Sequence, residues 1–120
     1  FHQAKNSYMD QTGDVKYGRK GSKSFNPGRA GMGGSEKPDL KAEFSATPHN
    51  RGVCSMARSQ NPNSANSQFF ICLADSPWLN QQYSVWGQVI EGMDNVEQIK
   101  KGEPVVDPDS IVSMRFAADV

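Results

Sequence analysis

Three short stretches gather the side chains with chemical potential: Tyr8, Met9 and Gln11; Gln68, Phe69 and Phe70; then Trp78 and Leu79. Each sets large apolar groups beside amides or other polar neighbours. The constellations of covalent catalysis are absent. No paired-carboxylate pattern or nucleophile elbow stands out, and two histidines are too few for a convincing triad. Asp14, Glu43 and Asp75 read as turn and surface acids. Cys54 and Cys72 lie in apolar segments and read as buried, reduced thiols. Neither has metal-ligand spacing to His2 or His49, so no metal and no cofactor is expected. Gly13 and Gly18 have the spacing of a phosphate loop, but Arg19 and Lys20 follow where Lys and Ser/Thr are required. The run GMGG (31–34) lacks the third glycine of a dinucleotide fingerprint. Both are by-products of glycine content.

The elements that must position these side chains are mostly short strands. SYMDQTGD (7–14) reads as a strand closing in a turn at Gly13-Asp14, and RGVCSMAR (51–58) alternates like a second. QFFICLA (68–74) is a continuous apolar run, the pattern of a strand covered on both faces. YSVWGQVI (83–90) reads as another strand. Met93, Val96 and Ile99 form a helical stripe with Asp94 in its first turn, Lys100 and Lys101 in its last, and Gly102 as the stop. Val112, Met114, Phe116 and Ala118 alternate with polar residues, predicting a half-buried final strand. Residues 15–38 are glycine-rich, basic and aperiodic, too long for an ordinary connection. Because strand neighbours point to opposite faces, Phe69 and Phe70 must separate, one to the core and one to a second surface. Spacing alone leaves open which of these aromatics are simply core. Trp78, after Ser76-Pro77, lies in a turn, where a core tryptophan is less expected.

Composition limits the functional classes. The chain has 120 residues, with 13 basic and 13 acidic side chains in balance. That suits one domain over residues 1–120 and gives no electrostatic bias toward nucleic acid or membrane surfaces. No apolar stretch approaches the ~20 residues that span a bilayer. A cytoplasmic location and a monomeric state are expected.

RGVCSMAR, NSQFFICLAD, WLNQQYSVWGQVIEGMDNVEQIKKG and DSIVSMRFAAD, in that order, resemble the cyclophilin family of peptidyl-prolyl isomerases. The opening FH…YMDQTGD is similar to that family's FHR…FMxQGGD stretch. The wording around GMGG and KPDLKAEF resembles a bacterial branch. The resemblance covers essentially the whole chain. It implies a mainly β, eight-stranded antiparallel barrel with a helix at each end and long Gly-rich loops, the groove lying on the outside. Phe70 would face the groove while Phe69 packs inward. The family's first two strands and first helix precede its FH motif, so Phe1 is expected to be a cut edge and the barrel N-terminally truncated.

The resemblance also implies isomerase activity on Xaa-Pro bonds, with proline-containing peptides or unfolded polypeptides as partners. Carried over residue by residue, Tyr8, Met9, Phe70 and Leu79 would form the proline pocket, with Tyr83 at its rim and Trp78 beside it. Gln11 and the backbone around Ala57, Arg58 and Ser59 would hold the peptide, and Gln68 would support the groove. Three departures bear on activity. Gln3 stands where the family carries its arginine donor, and AKNS (4–7) replaces the usual hydrophobic-Pro-Gly segment. Tyr8 and Tyr83 replace a phenylalanine and a histidine. Tight binding of cyclosporin-type ligands therefore does not follow from the resemblance. A catalytically weak module that only binds proline peptides is the competing expectation, because charge-assisted hydrogen bonds are roughly twice as strong as neutral ones.

Overall fold

The alternating segments pair into one antiparallel sheet. In the computed structural model, which describes residues 1–119, the strands are β1 (Gln3–Lys5), β2 (Met9–Thr12), β3 (Val53–Met56), β4 (Phe69–Cys72) and β5 (Val85–Gln88). Their order across the sheet is β1-β2-β4-β3-β5. The chain is mainly β and antiparallel, as expected. Among the described residues the sheet has five strands, fewer than the eight that the resemblance implied for the family's complete barrel.

β4 lies between β2 and β3. That is why its sequence is apolar without alternation: Phe70, Ile71 and Cys72 are all buried. Phe69 departs from the expectation that it packs inward. It does take the face opposite Phe70, but it is only half-buried, its ring edge-on to half-exposed Trp86 at 5.2 Å. Cys54 and Cys72 are free and buried, and burial pushes the Cys72 thiol up to about 11.

Two further expectations are corrected. The helix α1 spans only Met93–Glu97 and ends at Gln98, not at Gly102. Gly102 instead exchanges two backbone hydrogen bonds with Ala4, at 3.0 and 2.9 Å, and so supplies the outer partner of β1. A Cβ at that position would stand 2.7 Å from the Pro104 carbonyl, so the close approach requires glycine. Lys101 pairs with buried Asp10 at 3.3 Å and donates to the Glu97 carbonyl at the helix end at 3.2 Å. The final strand does not form either: residues 112–116 join no ladder and 117–119 make a 3-10 turn. Val112 is 100% and Phe116 81% exposed. Apolar alternation selects a strand only where a neighbouring edge accepts its backbone hydrogen bonds.

One carboxylate ties together two parts of the glycine-rich segment 15–38. Asp14, read from sequence as a turn or surface acid, is buried. It accepts backbone N–H bonds from Lys16, Tyr17, Gly31 and Gly33 at 2.9–3.0 Å. Burial alone would raise its pKa, but these four donors together hold it below the ordinary value. A Cβ on Gly33 would lie 2.7 Å from Asp14 Oδ1, so the loop can wrap the carboxylate only with glycine there. Among the described residues no helix is long and apolar enough to cross a membrane.

Candidate active site

Register creates the site. Gln3 faces Gln11, Gln11 faces Phe70, Phe70 faces Ser55, and Ser55 faces Val85. Directly opposed residues share a face, so this row runs across all five strands on one side of the sheet. The next row on that side pairs Met9 with Cys72. Phe70, Met9, Val53, Cys72 and Leu79 form one buried cluster, and Tyr8, Ala57, Tyr83 and Val85 pack at its margin.

A small groove of about 100 Å³ opens over this cluster. Phe70, 4% exposed, lines it together with Met9 and Leu79. Tyr8, Tyr83, Ala57, Arg58 and Gln11 complete the lining. Eight of the twelve residues selected from the sequence therefore converge on one concavity. Leu79 reaches it from the 3-10 turn Pro77–Leu79. Trp78 on the same turn is 63% exposed and packs on Tyr8, ring centroids 5.7 Å apart. Arg58 is fixed over the Tyr83 ring at 4.7 Å. Its guanidinium donates to the carbonyls of Gln82, Ser59 and Gln60.

Gln68 stands behind the groove. Its Oε1 accepts from Gln11 Nε2 at 3.0 Å, while its own Nε2 donates to the Gly31 and Gly33 carbonyls at 2.9 and 2.8 Å. One amide thus ties the groove to the loop that Asp14 organises. Ser59 is not among the groove-lining residues: its backbone N–H and hydroxyl both bond Ser64 Oγ, at 3.0 and 2.8 Å.

Gln3 lines a neighbouring cavity of about 320 Å³ instead. Its Nε2 donates to Glu103 Oε1 at 2.8 Å, and Lys5 pairs with the same oxygen at 3.1 Å. The Lys5 and Gln3 hydrogen bonds hold the Glu103 carboxyl below the usual range. Gln11 borders both cavities.

Sequence reasoning passed over three supports of this site. His49 lies beneath the groove, stacked on Phe70 at 6.2 Å, its Nε2 2.9 Å from Ser55 Oγ and its Nδ1 3.3 Å from Asn80 Oδ1. Because an amide oxygen only accepts, the ring proton belongs on Nδ1, and Nε2 accepts from the Ser55 hydroxyl. Burial lowers the His49 pKa, with the Asn80 bond opposing. No local pattern announced this histidine. Glu103 is likewise invisible, 100 residues from Gln3. Asp14 did carry a signal, since its bonds to the N–H groups of residues 16 and 17 are a local Asx turn.

Known proteins share this arrangement of chain. The family model for "Cyclophilin type peptidyl-prolyl cis-trans isomerase/CLD" matches residues 1–116. A probable peptidyl-prolyl cis-trans isomerase of Brucella abortus is 53% identical over 124 residues, which cover 99% of this chain and 63% of that protein. Human peptidyl-prolyl cis-trans isomerase-like 3 is 35% identical, the match covering 84% of this chain and 57% of that one. The chain thus spans less than two thirds of these relatives' length. The crystal structure of a cyclophilin from Hirschia baltica superposes with a TM-score of 0.82 at 24% identity, over 100% of this chain and 59% of that one. A cyclophilin-type isomerase from Cryptosporidium parvum, solved in the presence of the dipeptide Ala-Pro, gives 0.69 at 28% identity, over 90% and 67%. With sequence, family model and fold in agreement along nearly its whole length, the chain belongs to the cyclophilin-type peptidyl-prolyl cis-trans isomerase family.

Proposed function

We propose that the chain holds the proline of a Xaa-Pro peptide over Phe70 and accelerates cis–trans isomerisation of the preceding bond. The groove carries this reading: an apolar floor of Phe70, Met9 and Leu79 with the Gln11 amide at its edge. The Cryptosporidium parvum relative solved with Ala-Pro supports the ligand class. Proline-containing segments of flexible or unfolded chains are the corresponding partners.

The chemistry needs no nucleophile. Rotation about the amide destroys its resonance and faces a barrier of ~18–20 kcal/mol. Burying the pyrrolidine ring is worth about 2 kcal/mol, by analogy with an aliphatic side chain. It fixes one side of the bond while the other turns. In the twisted state the proline nitrogen recovers its lone pair, and a donor placed there stabilises that state above the planar one. Gln11 spends one N–H on Gln68 and has a second to offer. Gln3 likewise spends one on Glu103.

A second reading has a specific observation behind it. Gln3 is neutral, and its amide is bound to Glu103 beside the groove, which favours peptide holding with slow turnover. Exchange NMR on a Xaa-Pro peptide tests both readings. Accelerated cis–trans exchange that disappears in Phe70→Ala supports the isomerase. Binding without exchange supports the holder, and absence of binding sinks both. Gln3→Arg should raise turnover about 5–10-fold, the gain of one charge-assisted donor in the transition state, with KM unchanged.

A further inference from the structure

The cavity beside Gln3 shares the Gln11 wall with the groove but differs from it in chemistry. It is lined by His2, Gln3, Gln11 and Glu103, with Pro104 and the Ala30–Gly31 backbone. At about 320 Å³ it sits at the small end of ligand pockets, with room for one long side chain.

Its charge is one-sided. Glu103 is the only acidic or basic chain in the lining apart from His2, whose burial lowers its pKa and leaves the ring neutral at pH 7. Lys5, which neutralises part of Glu103, stands outside the lining, its ammonium 5.5 Å from the Tyr8 ring centroid. Gln3 and Lys5 both contact Glu103 Oε1, and among the described residues no hydrogen bond reaches Oε2. The Glu103 side chain is 53% exposed, so its carboxylate is within reach of a ligand from solvent.

We propose that this cavity is a subsite for a basic side chain flanking the bound proline, arginine before lysine, recognised by Glu103. The inference rests on the proline-groove reading above. A peptide seated over Phe70 must pass Gln11, and a neighbouring residue with a long stem then extends into the second cavity. The planar guanidinium can give Oε2 an N–H pair while its methylenes cover Pro104; an ammonium offers only a point contact. Glu103 thereby sets sequence preference around the proline.

The test compares peptides that differ at one position, placed in turn before and after the proline, carrying arginine, its neutral isostere citrulline, or glutamate. Affinities are read by fluorescence anisotropy. Wild type should bind the arginine peptide about 3–5-fold more tightly than the citrulline peptide on one side of the proline, as an exposed ion pair allows. Raising salt should shrink that ratio. The ratio should fall to about one in Glu103→Gln, whatever the absolute affinities, and Glu103→Lys should favour the glutamate peptide over citrulline. Equal binding of arginine and citrulline peptides by wild type overturns the subsite, and so does a preference that survives Glu103→Gln. The wild-type and salt comparisons decide the matter even if a variant misfolds. If none of the peptides binds, the groove reading fails and the subsite goes with it.

Discussion

Phe70 and Phe116 come from two segments that both read as strands, one continuously apolar and one alternating, and end in opposite environments. Phe70 is 4% exposed, its strand paired on both sides and its ring backed by His49; Phe116 is 81% exposed in a stretch that joins no ladder. Side-chain hydrophobicity does not separate them. Backbone pairing does: β4 has two neighbours to satisfy its N–H and C=O groups, so burial there leaves no polar group unmet. The C-terminal segment keeps its backbone bonds in water and its side chains with them. The groove is thus built where hydrogen-bond satisfaction and apolar burial coincide.

Phe70→Ala should give the largest effect on this contrast. Loss of a buried ring costs about 3–5 kcal/mol, and the floor of the groove goes with it. Chemical denaturation should show the loss, and the variant should fail to bind Xaa-Pro peptides. A loss below about 1 kcal/mol would mean that the groove face is not the packed side of the sheet.

Asp14→Ala comes next. It removes the acceptor for four backbone N–H groups, at about 1–3 kcal/mol for buried donors left unmet. The glycine-rich loop should lose amide protection in hydrogen exchange, and peptide affinity should fall through Gln68, which bonds that loop. Protection that survives at Gly31 and Gly33 would show that the loop is held by something else.

Mild acid should weaken the groove side by a smaller amount. The His49 and His2 pKa values are lowered in the folded state, chiefly by burial. The unfolded chain therefore takes up protons first. Their contribution is complete above the ordinary value of 6.5 and is lost as pH falls through the folded values. A thermal melt series from pH 7.5 to about 5 should show Tm declining; replacing His49 by Gln should flatten the decline. A pH-independent Tm across that window would contradict the buried neutral imidazole.

Phe116→Ser should do least, within about 0.5 kcal/mol, as for a surface position away from packed features. A large loss in denaturation would erase the contrast with Phe70 and place Phe116 in a packed setting.

Much of the site was legible in the sequence. The QFF run, the YMDQ stretch and the PWL turn set Tyr8, Met9, Gln11, Phe70 and Leu79 apart as large apolar groups beside amides, and the family resemblance implied that they share one groove. Their partners were not legible. His49 meets Ser55 and Phe70, and Glu103 meets Gln3, only after the strands have paired. The early end of α1 and the unpaired C-terminal stretch were misread for the same reason. A helical stripe and an alternating stripe state a preference, and a competing edge at Ala4 or a missing neighbour then decides the outcome.

By itself, the sequence determined which segments extend, which residues are apolar enough to floor a groove, and which family the chain resembles. The first two follow from side-chain chemistry and short-range periodicity, the resemblance from the order and wording of the motifs. Only the tertiary structure decided that Gln3 answers to Glu103, that Asp14 gathers the glycine loop, and that a polar cavity adjoins the groove over Phe70. Each of these depends on contacts between residues far apart in the chain, whose meeting is set by sheet register rather than by anything local to either partner.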